Sequence, residues 1–322
     1  MLRKNLGIDI GTKQISICSP EDGLLLSEPS VAAIDIDTDE VVAAGHSALR
    51  MVEANPTRLR LCWPVWDPIV KSANILSEML RIFLRRSIGR TILRPQVLVA
   101  IPCDLTEAQT SAVEDAVLEA GASRVHLLEA PLCAALGVGF DFASPVGRLV
   151  VHIGASRTEA AMIFLGEMVT HLTIPVGGTQ FDSAIIEHMR RHHGIYIGKN
   201  TAEQIKIRIG TVAKNAEEKK LDVKGRCVKT KEGRIVTVSS KEMLGAMTEP
   251  LTAILDAIIS VIEQTGADIR ADIAKTGVML TGGALLDGMD QFFDEVMGLR
   301  VRRAANAETA AVEGAAAALS RL

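Results

Sequence analysis

Apolar residues recur along this chain in two registers, alternating and helical, and the switches between them mark out the elements. Leu6–Ile10 and Gln14–Ser19 are short apolar runs on either side of Gly11, and Leu24–Leu26 follows as the third strand of an opening meander. Val31–Ile36 and Val41–Ala44 flank an acidic loop and predict a small strand-bearing insert that ends near Trp66. Across Ile69–Arg86, Ala73, Leu76, Leu80 and Phe83 fall on one face at helical spacing. Val97–Ile101 reads as a buried strand stopped by Pro102. Thr106 and Gln109 then form a capping box for a helix whose stripe is Val113, Ala116, Val117 and Ala120, with Gly121 ending it. Val125–Leu128 predicts another strand and Pro131–Leu136 a helix, after which Gly137 and Gly139 suit a hinge.

The same order then starts again. Val150–Ile163 repeats the logic of Leu6–Ile17: an apolar strand, a tight glycine turn, a second apolar strand. Met168–Pro175 adds a third strand, and Gly177–Gly178 turns into a helix over Asp182–His193. Thr201 with Gln204 is expected to cap a helix carrying Glu203 and Lys206, and a hairpin is expected to turn at Lys231–Gly233. Glu242–Gln264 predicts a long helix interrupted by Pro250, Val278–Leu280 a buried strand entering the Gly282–Gly283 turn, and Leu285–Met297 a helix. The Ala-rich stretch Ala304–Leu322 reads as a closing helix that packs back on the first lobe. Strands then helices, twice over, predict a duplicated α/β architecture, and 322 residues suffice for two domains with a core each. The two glycine turns expose backbone N–H groups that can wrap an anion, and Asp9 at a strand end can reach a metal or its waters. Paired hairpins imply two similar lobes gripping a polyphosphate.

Composition narrows the function classes. Hydrophobic residues at 48% and charged residues at 23% describe a folded globular chain, and with aromatics at 3% its core must be Leu, Ile, Val, Ala and Met. The net charge of −4 carries no nucleic-acid footprint. Cys18, Cys62, Cys103, Cys133 and Cys227 lack paired metal-ligand spacing and read as reduced cytosolic thiols. No signal peptide is read before the first strand, and Leu251–Ile262, which includes Asp256, is too short to span a bilayer. His188, His192 and His193 share a predicted helix, with 188 and 192 on one face; a surface helix is the preferred reading and no metal site is expected. No Ser/His/Asp or Cys/His arrangement is readable.

Several runs resemble the MreB family of bacterial actins: DIGT at Asp9–Thr12, EPSVAA at Glu28–Ala33, AGASRV at Ala120–Val125 and MRRHHG at Met189–Gly194. TAEQIK at Thr201–Lys206 and MLTGGALLDGMD at Met279–Asp290 complete the set, which spans essentially the whole chain in order. The resemblance implies an actin-like (ribonuclease H-like) α/β fold, duplicated and two-lobed, with four subdomains and ATP in the interlobe cleft. Lobe I is expected over 1–137 plus 300–322, with an insert at about 29–68, and lobe II over 138–299, with an insert at about 179–239. It further implies filaments, of this chain alone or with a second bacterial actin, at the inner face of the cytoplasmic membrane.

Carried over by position, the resemblance assigns Asp9, Gly11, Thr12 and Lys13 to the first phosphate hairpin and Gly154 with Arg157 to the second. Gly177 and Gly178 lie at the following turn, Glu203 and Lys206 near the adenosine, and Gly282 and Gly283 at the turn against the nucleotide. The departures concern catalysis. His152 stands where the family has an aspartate that orients the metal's waters. Ala130, before Pro131, replaces the glutamate that polarises the attacking water, with Glu129 one place earlier, and Arg157 replaces a threonine. Losing such a carboxylate costs about 10²–10⁴-fold in rate, and neutral imidazole is a poor substitute for the oxygen ligands Mg²⁺ prefers. ATP is therefore the expected ligand, Mg²⁺ is doubtful, and hydrolysis is expected to be weak or lost. Arg157 has three readings: a salt bridge to Asp9, a phosphate cradle, or a solvent-facing side chain.

Ile88, Ile92 and Leu93 sit among Arg81, Arg85, Arg86, Arg90 and Arg94, a pattern suited to shallow insertion into an anionic leaflet, and the corresponding family loop inserts a hydrophobic pair. The basic start (Met1, Leu2, Arg3, Lys4) can assist. The alternative reading is that Ile92 and Leu93 begin the strand at Val97. The leading function is a filament-forming or filament-modulating cytoskeletal actin. An ATP sensor, or a kinase-like ATPase on the same scaffold that does not polymerise, is the alternative.

Overall fold

Apolar faces on both sides of a strand need two covering layers, and the chain supplies them separately in two units. The computed structural model describes residues 4–66, 69–70, 72–89, 93–214 and 216–320. Its contacts gather Met1–Ser144 with Ala305–Leu322 into one unit and Pro145–Ala304 into another.

In the first unit β1 (Asn5–Ile10), β2 (Gln14–Ser19) and β3 (Gly23–Pro29) form the antiparallel meander. The chain continues through β4 (Ala32–Asp35), β5 (Val41–Ala44), α1 (His46–Ala54) and β6 (Leu59–Cys62), where β4 pairs with both β5 and β6 in a small sheet of its own. A ribbon of β7 (Val65–Trp66) and β8 (Ile69–Val70) leads to α2 (Ala73–Ile88), β9 (Gln96–Ile101), α3 (Glu107–Ala120), β10 (Arg124–Glu129) and α4 (Ala130–Gly137). The main sheet has the order β10-β9-β1-β2-β3, with β9 parallel to both β1 and β10. Leu76, Met79, Leu80 and Phe83 of α2 are buried against Ile8, Ile17 and Val99 of that sheet.

The second unit repeats the plan with β11 (Arg148–Ile153), β12 (Thr158–Phe164) and β13 (Glu167–Ile174), then α5 (Gly178–His192), β14 (Ile195–Tyr196) and α6 (Lys199–Ile209). Next come β15 (Lys220–Cys227), β16 (Gly233–Ser239), α7 (Ser240–Gln264), α8 (Ala267–Thr276), β17 (Val278–Thr281), α9 (Met289–Met297) and β18 (Val301–Arg303). The sheet order β13-β12-β11-β17-β18 again sets an antiparallel meander beside two parallel strands, and β14-β15-β16 form a separate small sheet. Phe181, Ile185 and Met189 of α5 and Met243, Met247, Leu251 and Ile258 of α7 bury their faces in this unit's core.

Finally α10 (Ala310–Leu319) returns to the first unit and lies backbone-close on α4 and β1. A Cβ at Gly314 would come 1.7 Å from the Cys133 carbonyl oxygen, one at Gly137 1.9 Å from that of Ala310, and one at Gly7 2.4 Å from the Ala316 nitrogen. Small residues here are a condition of the approach.

Several expectations change: α5 begins at Gly178 rather than Asp182, and α10 at Ala310 rather than Ala304. α6 starts at Lys199 after Gly198, so Thr201 lies inside its first turn and is not the cap. α7 runs as one 25-residue element with Pro250 inside it. By length and composition α7 could cross a bilayer, contrary to the sequence estimate, but its apolar face belongs to the core. The helix expected from Leu285 begins only at Met289, because Asp287 is held extended: its carbonyl accepts the Val212 N–H at 2.8 Å, and its carboxylate accepts the Thr211 hydroxyl at 3.0 Å.

Candidate functional site

In the first unit, the β1–β2 turn closes with the Gly11 N–H donating to the Gln14 carbonyl at 2.9 Å. A Cβ on Gly11 would lie 2.7 Å from that oxygen, so this turn admits only glycine. Thr12 and Lys13 complete it, and the Lys13 carbonyl accepts the Ser30 N–H at 2.9 Å. Asp9, one residue before the end of β1, has its carboxyl pushed up to about 6 by burial. Parallel pairing places Asp9 opposite Ala100 and Ala100 opposite Leu128, which brings the next residue, Glu129, to the same sheet end. The Cys133 thiol registers both: burial raises its pKa well above the ordinary value, and the charges of Asp9 and Glu129 raise it further. Glu129 caps α4 in extended conformation, whereas Ala130 is the buried first residue of that helix.

In the second unit the β11–β12 turn is closed by the Gly154 N–H and the Arg157 carbonyl at 2.8 Å. The start of α5 is built onto this turn: Gly178 N–H donates to Gly154 at 3.0 Å and Thr179 N–H to Ala155 at 2.7 Å. Gly177 donates to the Gln180 side chain at 2.9 Å, and a Cβ there would sit 2.4 Å from the Gly154 carbonyl. Gly177 and Gly178 thus have their N–H groups satisfied within the protein and serve close packing of helix on turn.

His152, again one residue before the end of its strand, pairs in parallel register with Thr281, and its Nδ1 lies 3.2 Å from the Thr281 hydroxyl. Burial pushes the imidazole down to about 4, so it is neutral at pH 7. Gly282 follows at φ +97°, with a hypothetical Cβ 2.2 Å from the Ile153 carbonyl, so both conformation and space demand glycine. Gly283 differs: no heavy atom lies within 4 Å of a Cβ built there, leaving its backbone open to an approaching group.

The pair on α6 divides. Lys206 is 9% exposed, donates from Nζ to the Gly178 carbonyl at 2.8 Å and lies 2.7 Å from Asp182 Oδ1, which commits its charge to α5. Glu203 is half-buried. Asp182, read from the sequence only as the start of a helix, is the anchor, and nothing local in the sequence links positions so far apart.

At the basic corner, Ile88 ends α2 and packs partly against the core, whereas Leu93 is 42% exposed. Ile92 and Arg90 lie outside the described residues, as do Met1, Leu2 and Arg3. Arg86 is ion-paired with Glu28, whose other oxygen accepts the His46 N–H at 2.8 Å, and Arg81 donates to the Glu119 carbonyl at 2.8 Å. Arg85 and Arg94 are exposed.

The sequence profile of the MreB/Mbl protein family matches residues 3–322. Cell shape-determining protein Mbl of Bacillus subtilis is 34% identical over 308 residues, covering 95% of this chain and 92% of that protein. Cell shape-determining protein MreB of Escherichia coli is 35% identical over 329 residues, covering 100% and 95%. Among solved structures, MreB5 of Spiroplasma citri bound to AMPPNP superposes with a TM-score of 0.90 at 28% identity, over 98% of this chain and 95% of that one. A MamK double helical filament matches in fold, with a TM-score of 0.84 at 16% identity and full coverage of both chains.

Proposed function

The chain belongs to the MreB/Mbl family of actin-like proteins, and from that premise we propose that it is a cytoskeletal actin that forms or modulates filaments at the inner face of the bacterial membrane, binding ATP but hydrolysing it weakly or not at all. Filament formation and cell shape are supported by the relatives: a MamK filament shares the fold, and Mbl and MreB are named for determining cell shape. ATP is supported by the AMPPNP and ADP held by MreB5 of Spiroplasma citri, and by the glycine turns at Gly11, Gly154 and Gly283. These turns, with Thr12, Lys13 and Arg157, are the phosphate contacts we assign, and Glu203 is the adenosine contact.

The loss of turnover rests on one observation above all. His152 is a neutral imidazole tied to Thr281, at a strand end where an acidic oxygen is needed. Mg²⁺ takes oxygen ligands in near-octahedral geometry, so this donor set fits it poorly. Ala130, a buried methyl group at the head of α4, cannot polarise water, and Glu129 is the extended residue that precedes the helix. At the membrane, Leu93 with Arg85 and Arg94 supplies an apolar tip beside cations.

Phosphate release and ATP-dependent pelleting test the reading together. The wild-type chain is expected to pellet as filaments with negligible phosphate release, and the combined change Ala130→Glu, His152→Asp, Arg157→Thr should raise release by about 10²-fold or more. Magnesium-dependent turnover by the wild-type chain overturns the catalytic half of the proposal. A nucleotide-bound monomer that never pellets overturns the filament half.

A further inference from the structure

Away from the hairpin turns, the end of α5 and the start of α7 hold a cluster that the nucleotide reading does not use. His188 lies one turn before the end of α5 and His193 is the residue that caps it. Glu242 is the third residue of α7, fixed by its N–H donating to the Ser239 hydroxyl at 3.3 Å. Buried Met189 and Met243 lie beside these residues in the core and seat the two helices. One carboxylate oxygen, Glu242 Oε1, is 2.7 Å from His188 Nε2 and is also hydrogen-bonded to His193 Nε2. The ring of His192 stacks on His188, with centroids 4.4 Å apart and planes inclined by 25°, which holds the His188 imidazole in place. The three side chains are 16%, 21% and 27% exposed, so they are partly withdrawn from water yet reachable.

We propose that His188, His193 and Glu242 form a binding site for one divalent transition-metal ion, with Zn²⁺ the ion of best fit. Their donor atoms all lie within 4.8 Å of one another. Two imidazole nitrogens and one carboxylate oxygen are a zinc donor set, with metal–ligand distances of about 2.0–2.2 Å. In tetrahedral geometry those distances set the ligand atoms about 3.3 Å apart, so the 2.7 Å contact between His188 and Glu242 has to open by only about half an ångström. The His193–Glu242 contact on the same oxygen is shorter and would open further, both by rotation of the partly exposed side chains. Each imidazole would shift its proton from Nε2, where it is now donated to Glu242, to Nδ1 and bind through Nε2, so that the ion takes the place of the two N–H···O hydrogen bonds. Nitrogen donors disfavour Mg²⁺ and Ca²⁺ and favour zinc and its transition-metal neighbours.

Three protein ligands leave a fourth position. His188 also lines a groove of about 470 Å³ with Gln180, Ser183, Glu187, His192 and Pro250, which gives water or an incoming carboxylate a route to that position. The ion would join the helix leading into the β14-β15-β16 sheet to the helix leading out of it. Because it binds the folded arrangement, it raises the stability of the second unit by mass action.

The test uses the full chain without a polyhistidine tag, stripped of metal by chelation. Zn²⁺ titration by calorimetry is expected to show one equivalent bound and a raised melting temperature. Co²⁺ should give the visible bands of a four-coordinate site without thiolate charge-transfer absorption. His193→Ala and Glu242→Gln should each lower affinity by about tenfold or more, with unchanged circular dichroism in the absence of metal. Absence of saturable binding to the wild-type chain overturns the proposal. So does a thiolate signature, or undiminished binding in both variants, since either would place the ion elsewhere. If a variant fails to fold, the wild-type cobalt spectrum alone still decides between nitrogen–oxygen and sulfur ligation.

Discussion

His152 and Asp9 stand at matching strand ends, yet burial moves their proton affinities in opposite directions, one down to about 4 and the other up to about 6. Between pH 4 and 6 the folded chain keeps a proton on Asp9 that the unfolded chain has released, so this group's contribution to stability is full below pH 3.8 and is lost as pH rises through 6. His152 does the reverse: the unfolded chain takes up a proton that the folded chain refuses, so stability is lost as pH falls from 6.5 towards 4. Melting temperatures across pH 4–7 check this. Asp9→Asn should gain on the wild type as pH rises through that window, and His152→Gln should gain as pH falls, each by about 2–3 kcal/mol at the extreme. The identity of His152 as a departure was legible from the repeated hairpin. A neutral imidazole was expected there too, but its hydrogen-bond partner was not, because Thr281 is 129 positions away. Lys206 teaches the same lesson, since helical spacing offered no sign that Asp182 would claim its charge.

Helices and strands with local determinants were readable, and those defined by distant partners were not. The Thr106–Gln109 box forms as expected because both halves lie within one turn. The delayed start of α9 reflects a strap to Thr211 and Val212, and a Cβ on Gly288, at φ +75°, would meet Ala213 at 2.6 Å. α1 and α8 escaped the periodicity reading altogether; each is short and buries a single residue, Ala48 and Ile273 respectively. Two glycines within helices make a paired prediction. Gly314→Ala drives a methyl into the Cys133 carbonyl and should destabilise by about 2 kcal/mol or more. Gly245→Ala in α7, where no heavy atom lies within 4 Å of the new Cβ, should stabilise by about 0.5–1 kcal/mol. Denaturant midpoints of the two variants should move to opposite sides of the wild type.

Across the whole molecule, the duplicated plan was legible because each unit repeats a meander followed by two parallel strands, and the family match extends over residues 3–322. The basic corner was read less well: sequence alone counted Arg81 and Arg86 as surface charges, whereas both are tied down within the first unit. If Leu93 is the inserting tip, Leu93→Ser should weaken co-sedimentation with anionic vesicles by about tenfold, from the lost burial of one leucine side chain. Unchanged co-sedimentation removes this loop as the anchor. Glu28 gives the corner a reach beyond its own residues. One carboxylate grips both the first amide of α1 and the guanidinium near the end of α2, so the end of α2 and the helix packed beside the small β4-β5-β6 sheet are tied through the same side chain. If the Leu93 loop does meet lipid, the membrane-side corner and the small sheet share one acidic side chain, and Glu28→Gln is the change that would uncouple them.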